Sequence, residues 1–502
     1  MSRRPNGSQI YRFELYDTLA RSAAAIYDEV RRAAADAGVT DDMRGRIGLT
    51  GAVSSCHGLL TRRVSAAIDA GARKVIENSA LDVEVRRLVK SYYGDDYDGA
   101  MIATCEAALW VAYDALFTPP LAGRGENYRT RYIAPYERHM HHQAGYGRPF
   151  PPRYKDLYAD RGVTAGEMGM AGKRLENLDT VIVPMAGAEY PCHGIRYHPV
   201  PLLSRVDAEA TAATLADQAA IHAPLLAGFA SLGYDTPGYG HGARDPDGTP
   251  LLQRRIAALA RRYNVPYVTD NAWGVPFVGT DIRATGADVM TYSMDKAAGA
   301  PTVGLIVGRE NAMLPIRRAL GIHGDRWGTT RSHGKAAYVT VDPGKEALLG
   351  GIAAMEVLLE RPESFQEPLD HLYALTREEF QRSDLRQYGD GWLITRSHNS
   401  MAVEVNYEQT WDQGCPGFPI FTIEDMYAGS NVVQNAMKAA GLVPTIGYDA
   451  NIFISLGMGT TDEDGRLMEK EARVMVRALF RALEIIGRHS GVREMRREAA
   501  RS

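Results

Sequence analysis

Cysteine is scarce in this sequence. Only four occur among 502 residues, and they lie far apart, at Cys56, Cys105, Cys192 and Cys415. Disulfide frameworks belong to small secreted domains, so we expect reduced thiols in a cytoplasmic protein. Two of the cysteines precede a histidine, but neither pair has a second ligand two to four residues away, as structural zinc sites have. The spacing therefore predicts no metal site.

Long apolar runs and a strong excess of charge are also missing. No stretch of 18 or more apolar residues occurs, so we expect no membrane-spanning helix and no membrane partner. The first 20 residues carry no apolar h-region, which argues against a secretory signal. The formal net charge of −4 gives no indication of a nucleic-acid partner. We expect a soluble protein.

The middle of the chain alternates short apolar segments with amphipathic ones. This alternation is typical of a parallel α/β sheet with right-handed crossovers. Helices are predicted at 12–36, 62–90, 105–117, 210–223, 251–264 and 345–360, and strands at 180–185, 223–230, 265–270, 288–293, 302–308, 392–396, 400–407 and 451–457. The stretch from 123 to 175, rich in Tyr, Arg, Pro and His, is predicted to be a functional loop.

The length and this pattern predict more than one lobe, because 502 residues exceed the size at which one core stops growing. We predict an N-terminal helical segment (1–75), a large α/β domain (76–340) and a smaller α+β C-terminal domain (341–502). The large domain has a mainly parallel sheet flanked by helices.

Two residues that can carry chemistry follow neighbouring predicted strands. Asp270 ends one strand, and Lys296 lies just past the end of the other. Ligands of open α/β sheets bind outside the carboxyl ends of the strands, so both side chains can reach one crevice. Pyridoxal 5′-phosphate (PLP) needs such a pair, because a lysine forms its Schiff base and an acid keeps its ring nitrogen protonated. Ala272 can lie flat under the ring, and Ser293 offers a hydroxyl to the phosphate.

The Asp-Asn-Ala motif at 270–272 and the Ser-Met-Asp-Lys motif at 293–296 resemble those of PLP-dependent enzymes of the aspartate aminotransferase fold (fold type I). They are most similar to motifs of cysteine desulfurases, group II decarboxylases and serine hydroxymethyltransferase. The resemblance covers about residues 90–310. It implies a homodimer or larger homo-oligomer, with residues 323–342 as the loop that reaches a neighbouring active site.

The resemblance implies further cofactor contacts. The family's phosphate cup corresponds to Ala-Thr-Cys-Glu-Ala at 103–107, where Thr104 and Cys105 would contact the phosphate at a helix N-terminus. The cup lacks the family's usual glycine. His142 would stack on the cofactor ring, and His139 and His141 are the alternatives. Thr236 would reach the phenolic oxygen of the cofactor.

Two departures from the family concern the substrate. The residue before the lysine is Asp295, where related enzymes commonly have histidine. In the C-terminal lobe Phe453 stands where the family's arginine clamps the substrate carboxylate. We expect Arg326, Arg331 or Arg396 to replace that arginine, or the substrate to be held through other groups.

The expected function is that of a PLP enzyme acting on an amino-acid-like amine, with Lys296 shuttling a proton. We expect a lyase or a group-transfer enzyme (elimination, replacement or retro-aldol type) in specialised biosynthesis. An aminotransferase is the alternative, and a non-catalytic subunit of the same fold is a third. A nucleotide-binding protein would depend on the glycines at 238–242, whose spacing does not fit a dinucleotide loop.

Overall fold

The fold is that of a computed structural model. It describes most of the chain, with gaps, in the following ranges: 12–50, 57–117, 129, 131–136, 179–184, 189–192, 200–202, 207–233, 235–236, 239–240, 243–323, 330–331, 343–400, 402–410, 416–419, 432–443, 447–448 and 451–501.

Helices and strands are numbered in chain order over these ranges. The helices are α1 (Arg12–Asp36), α2 (Arg62–Ala72), α3 (Asn78–Tyr93), α4 (Cys105–Phe117), α5 (Ala208–His222), α6 (Leu251–Tyr263), α7 (Ile282–Thr285), α8 (Met294–Ala297), α9 (Glu310–Ala319), α10 (Lys345–Glu360), α11 (Glu363–Arg382), α12 (Val432–Ala439), α13 (Glu469–His489) and α14 (Val492–Ala499). The strands are β1 (Tyr97–Ile102), β2 (Arg131–Tyr136), β3 (Asp179–Pro184), β4 (Glu189–Cys192), β5 (Val200–Leu202), β6 (Leu226–Leu232), β7 (Asp235–Thr236), β8 (Tyr239–Gly240), β9 (Tyr267–Asp270), β10 (Val289–Ser293), β11 (Gly304–Arg309), β12 (Ile322–His323), β13 (Thr330–Arg331), β14 (Leu393–Arg396), β15 (Ala402–Asn406), β16 (Gly447–Tyr448) and β17 (Asn451–Ser455).

The chain divides into two compact units. The central unit comprises Arg62–Ala188 and Arg205–Pro362, and the terminal unit comprises Met1–Thr61, Glu189–Ser204 and Glu363–Ser502. This grouping differs from the predicted ranges 1–75, 76–340 and 341–502, because the two ends of the chain pack together. In the terminal unit α1 packs on α12 and α13, which periodicity within one segment does not reveal.

The central unit is built on a sheet of seven strands among the described residues, in the order β1-β11-β10-β9-β6-β2-β3. The pairs β10–β9, β9–β6, β6–β2 and β2–β3 are parallel. Strand β11 is antiparallel to both β10 and β1, so β1 runs in the same direction as the parallel strands. The carboxyl ends of β1, β9 and β10 therefore lie at the same edge, which we call the carboxyl edge.

Helix α4 covers the middle of one face of this sheet. Its sequence is apolar around most of its circumference, as expected of a helix buried on more than one side. It packs with α9 over side chains of several strands, including Val268, Val289 and Ile306. Because side chains alternate along a strand, Asp270 and Thr291 point to this same face as Val268 and Val289.

The terminal unit contains an antiparallel sheet in the order β14-β15-β17-β16. Helices α11 and α13 pack together, and α11 also contacts β14 and β15. Buried Glu379 of α11 accepts hydrogen bonds from Arg473 and Arg477 of α13, which ties the two helices together. Among the described residues, no helix is both long and apolar enough to cross a membrane.

The predicted helices at 12–36, 105–117 and 345–360 agree with α1, α4 and α10. The predicted helix at 62–90 is two helices, α2 and α3. The predicted loop from 123 to 175 contains strand β2, so the prediction of a continuous loop is wrong at that point. Pro135 in β2 explains the error, because proline argues against a strand inside a sheet. The pairing of β2 with β6 ends at Ile133, so Pro135 does not need to donate a backbone hydrogen bond to β6.

Candidate active site

The register of the sheet brings the predicted site residues to the carboxyl edge. Ile102 of β1 pairs with Gly304 of β11, and Gly304 pairs with Ser293 of β10. One strand further, Thr291 pairs with Asp270. The segments that follow Ile102, Ser293 and Asp270 therefore leave the sheet side by side.

Asp270 is held at the end of β9 and is 6% exposed. Its Oδ1 accepts a hydrogen bond from the amide of Ala272 (3.1 Å), and its backbone oxygen accepts one from Gly233 (2.7 Å). A buried carboxylate is stable when it is hydrogen-bonded or faces a cation. This geometry fits an acid that pairs with a protonated ring nitrogen.

Asn271 packs beneath the same edge and is 2% exposed. Its Nδ2 lies 3.3 Å from Met290 Sδ. A Cβ atom at Gly233 or Gly274 would approach Asn271 side-chain atoms to 2.3 Å and 2.2 Å, respectively. Both glycines are therefore needed to seat this side chain, which fixes the course of the chain after Asp270.

The N-terminus of α4 lies at the carboxyl edge, because β1 ends two residues before Thr104. Thr104 caps the helix: its Oγ1 accepts from Ala107 N (3.0 Å) and its backbone oxygen from Ala108 N (3.0 Å). The amides of Cys105 and Glu106 have no acceptor within the helix. They are placed to bind an anion such as a phosphate, although the cup lacks the family's glycine.

The Cys105 side chain points into the protein rather than toward solvent. It is 4% exposed, and its Sγ donates to Thr291 Oγ1 (3.4 Å). Burial raises the pKa of the thiol and the negative charge of Asp270 adds to the rise, whereas the hydrogen bond with Thr291 and the positive charge of Lys296 lower it. If Cys105 contacts a phosphate, it does so through its amide.

Lys296 lies on the short helix α8, in the connection between β10 and β11. Met294 N donates to Val303 O (2.9 Å), which closes this connection like a hairpin. Gly299 has a φ of +65°, a left-handed conformation that glycine adopts readily, so the chain can turn after the lysine. Lys296 therefore emerges at the same edge as Asp270.

Two carboxylates lie near this lysine. Ser293 Oγ donates to Asp295 Oδ1 (2.6 Å), so the hydroxyl predicted to bind the phosphate contacts its neighbour in this structure. Desolvation raises the pKa of Glu106, and the positive charge of Lys296 lowers it in part. The Glu106 side chain is nevertheless exposed to solvent.

Gly304 sets how closely α4 approaches the sheet. A Cβ atom there would lie 2.4 Å from the carbonyl carbon of Thr104 and 2.7 Å from the amide nitrogen of Cys105. We expect Gly304→Ala to displace the start of α4 and to weaken PLP affinity about tenfold, measured by titration of the apoprotein. Gly308→Ala, at the other end of β11, is the matched control: it also overpacks, against Asp288, but away from the cup. Equal PLP affinities of the two variants would contradict the role of Gly304.

Several other predicted site residues fall where the structure gives less detail. His142, its alternatives His139 and His141, and Arg326 lie outside the described residues. For Thr236 in β7 and Arg331 in β13 only the backbone is described. Their roles stay predictions.

The arginine predicted on the C-terminal lobe is described in full. Arg396 ends β14, and its Nε lies 2.5 Å from Asp370 Oδ1 of α11 in the same unit. Phe453 is buried in β17 and pairs across the sheet with Glu404 of β15. A phenyl ring beside a carboxylate therefore occupies the position where the resemblance places an arginine.

The sequence analysis missed Thr291 and Glu106. Both signals were present in the sequence: Thr291 lies two residues before Ser293 on the same strand face, and Glu106 lies in the first turn of a predicted helix. Within the described ranges, no group of three or more His, Cys, Asp or Glu side chains is placed to hold a metal ion.

The fold is similar to those of solved structures of two aminotransferases and an ammonia-lyase. Adenosylmethionine-8-amino-7-oxononanoate aminotransferase from Methanocaldococcus jannaschii matches with a TM-score of 0.50 and 12% identity, over 86% of this chain and 88% of that chain. D-Glucosaminate-6-phosphate ammonia-lyase matches with a TM-score of 0.47 and 15% identity, over 88% and 96%. Alanine–glyoxylate aminotransferase from Nostoc sp. matches with a TM-score of 0.48 and 12% identity, over 87% and 95%.

The likeness to the Methanocaldococcus enzyme shows the fold. The chain has the aspartate aminotransferase fold, fold type I, and the predicted fold class is confirmed. No protein-family model matches the chain. A segment of 74 residues is 35% identical to L-seryl-tRNA(Sec) selenium transferase from Desulfovibrio desulfuricans, and it covers 12% of this chain and 16% of that protein. The match thus spans about a sixth of the relative's length.

Proposed function

We propose that this chain is a PLP-dependent enzyme that acts on an amino-acid-like amine by elimination, replacement or another group transfer. One observation carries the proposal: Asp270, the Lys296 helix and the N-terminus of α4 meet at one edge of the sheet. They supply an acid, an amine and an anion site, and PLP carries a ring nitrogen, an aldehyde and a phosphate.

Each described group has a distinct task in this proposal. The amides of Cys105 and Glu106 bind the phosphate, and the Asp270 carboxylate holds a proton on the ring nitrogen. Lys296 holds the cofactor covalently and moves a proton at the amine-bearing carbon of the substrate. When bound, PLP withdraws electrons from the bonds at that carbon.

Asp295 is a further negative charge beside the lysine. Its Oδ1 accepts a hydrogen bond from Ser293 Oγ, which restricts the orientation of this carboxylate. A fixed anion favours the protonated form of a neighbouring nitrogen. This supports a reaction in which Lys296 returns its proton to the substrate or to a leaving group.

The reaction class is proposed from proteins to which the chain is similar. The relative with the 74-residue match is named L-seryl-tRNA(Sec) selenium transferase, and we take from it only the class, group transfer. Transamination is the second candidate, because the similar structure from Methanocaldococcus jannaschii is named as an aminotransferase. The two differ in outcome: transamination leaves the cofactor as its amine and yields a keto acid.

The remaining predicted partners are part of the same proposal. We propose a small-molecule amine as substrate and a homodimer or larger homo-oligomer as the working assembly, with neither nucleic acid nor membrane as partner. Arg326, Arg331 and Arg396 remain the proposed carboxylate contacts. The ion pair of Arg396 with Asp370 means that a substrate would have to compete with that carboxylate.

The cofactor is tested by covalent labelling. Protein mixed with PLP should absorb in the visible range, lose that band on borohydride reduction, and show PLP fixed to Lys296 by peptide mass spectrometry. Lys296→Ala should take up no reducible label, whereas Lys74→Ala, at an exposed lysine of the same unit, should label like the wild type. Colourless protein without label would end the proposal.

The reaction class is tested on protein that takes up PLP in the labelling experiment. Amines that perturb the visible band are incubated with the enzyme, and the products are identified by mass spectrometry. Loss or exchange of a β- or γ-substituent supports elimination or replacement. A keto acid formed in step with the amine form of the cofactor would favour transamination.

A further inference from the structure

The sulfur of Met290 accepts two hydrogen bonds in the interior of the central unit. Asn271 Nδ2 donates to it over 3.3 Å and the Tyr292 hydroxyl over 2.9 Å. Met290 and Tyr292 are 0% exposed and Asn271 is 2% exposed, so water does not compete for these contacts. A thioether is a weak acceptor, and leucine, which has a similar volume, offers none. The sulfur therefore gives this buried position a polar contact that packing alone does not require.

Met290 and Tyr292 lie on the face of the sheet opposite to the one that α4 covers. Side chains alternate along a strand, and Thr291, which stands between the two, points to the same face as its partner Asp270. Asn271 directly follows Asp270 in sequence and contacts the opposite face through Met290. The sulfur is thus reached by the residue next to the candidate acid and not by the acid itself.

Asn271 is fastened through its backbone as well as its side chain. Its amide nitrogen donates to Thr291 O (3.0 Å), and its backbone oxygen accepts from Gly274 N (2.8 Å). The space for its side chain depends on two neighbouring glycines, and Met290 Sδ fixes the direction of the Nδ2 end of the amide within that space. The orientation of Asn271 therefore determines where the next residue, Ala272, begins.

The amide of Ala272 is the group that contacts the candidate acid. Ala272 N donates to Asp270 Oδ1 (3.1 Å). A hydrogen bond donated to a carboxylate favours its ionised form, and an ionised carboxylate favours the proton on the ring nitrogen of the cofactor. Because one peptide unit joins Asn271 to Ala272, a rotation of Asn271 moves this amide. The contact between Asn271 and Met290 consequently acts on Asp270 through the chain itself.

The far end of the segment 271–277 is held by a second buried tyrosine. Phe277 has a φ of +68°, a left-handed conformation that bulky residues rarely adopt. Its backbone N–H donates to the Tyr93 hydroxyl (3.5 Å), and Tyr93 also forms a hydrogen bond with Tyr292. A backbone in an unfavourable conformation needs support from its surroundings. Tyr292 therefore belongs to the contacts at both ends of the segment.

We propose that Met290 is a positioning residue of the candidate site, whose sulfur orients Asn271 and so keeps the Ala272 amide on the Asp270 carboxylate. The inference rests on the proposed function, in which Asp270 holds a proton on the ring nitrogen. Met290 acts through Asn271, so its effect on the cofactor requires the Asn271 side chain.

The test is ¹⁵N NMR of the protein loaded with PLP that carries ¹⁵N in its ring, together with titration of the apoprotein with PLP. Met290→Leu keeps the volume of the side chain and removes the acceptor. Its ring resonance should move toward that of an unprotonated ring, and its PLP affinity should fall about fivefold, the usual effect of losing one hydrogen bond. Asn271→Ala should give at least as large a change, and the double variant should change no further, because residues that act through one contact are not additive.

Met313→Leu is the matched control. Met313 is also 0% exposed, but it belongs to α9 and packs in the core on the α4 face of the sheet. It should lower stability to a similar extent and leave the ring resonance and the PLP affinity unchanged. A wild-type ring resonance in Met290→Leu, or an effect of Met290→Leu that persists in full beside Asn271→Ala, would overturn the inference while the proposed function stands. Wild-type protein that binds no PLP would overturn both.

Discussion

Asp270→Asn is expected to lower turnover by at least an order of magnitude while the protein still folds and still takes up PLP. The amide keeps the size of the side chain and its contact with Ala272 N, but it carries no charge to hold a proton on the ring nitrogen. One unit of pKa corresponds to about 1.4 kcal/mol, so even a modest loss of ring protonation has a tenfold effect. Steady-state turnover and PLP affinity are the measurements.

Asp288→Asn is the control for this substitution. Asp288 lies at the opposite end of the same strands, where its Oδ2 accepts from Tyr267 N (2.9 Å) and burial raises its pKa. Its replacement should change stability but not turnover. Near-wild-type turnover in Asp270→Asn would assign the ring nitrogen to another residue.

A second large effect is expected at a buried ion cluster on β1. Asp98 is 0% exposed and accepts from Arg86 Nε (2.9 Å), from Arg317 Nη1 (2.5 Å) and from Gly99 N (2.9 Å). Burial lowers the pKa of Arg317, and Asp98 opposes this. Removing one member of a buried cluster leaves an uncompensated charge, so Asp98→Asn should cost about 3–5 kcal/mol in the free energy of unfolding.

Denaturant titration followed by circular dichroism measures this loss. The control is Asp28→Asn, which removes an exposed pair with Arg31 one helical turn away and should cost under about 1 kcal/mol. Asp98 pairs with Gly308, at the end of β1 remote from the carboxyl edge. PLP affinity of the folded Asp98→Asn protein should therefore equal that of the wild type. A loss no larger than that of Asp28→Asn would refute the cluster's role.

Much of the fold follows from periodicity, and the misses have physical causes. Amphipathic spacing predicts α1 and α6, and short β-branched runs predict β9 and β10. Strand β1 has no such signal, because its second and third residues are Asp98 and Gly99. Gly99 is there because a Cβ atom would approach Val89 Cγ2 to 2.6 Å. The requirement for glycine at this position comes from the helix that packs against the strand, and the local sequence does not show it.

The candidate site was predictable where a residue of the required chemical type directly follows a predicted strand. Asp270 and Lys296 are recognisable from residue type and from their positions after strands. Thr291 becomes informative only through the register, because its partner on β9 is Asp270 rather than a neighbouring residue. The substrate contacts were the least predictable, because the surroundings of the residues concerned come from distant parts of the sequence. Arg396 is paired with Asp370, and Phe453 lies opposite Glu404.

The closed connection that carries Lys296 also limits what one amine can do. The segment from 294 to 303 joins two antiparallel strands and is fastened by the Met294–Val303 hydrogen bond. The lysine backbone consequently moves with the sheet, and the amine explores only the space that its own side-chain torsions allow. A reaction in which this amine acts at two successive carbon atoms therefore requires both atoms to lie within reach of the Lys296 side chain. This favours substrates whose reacting atoms are close together, whatever the size of the rest of the substrate.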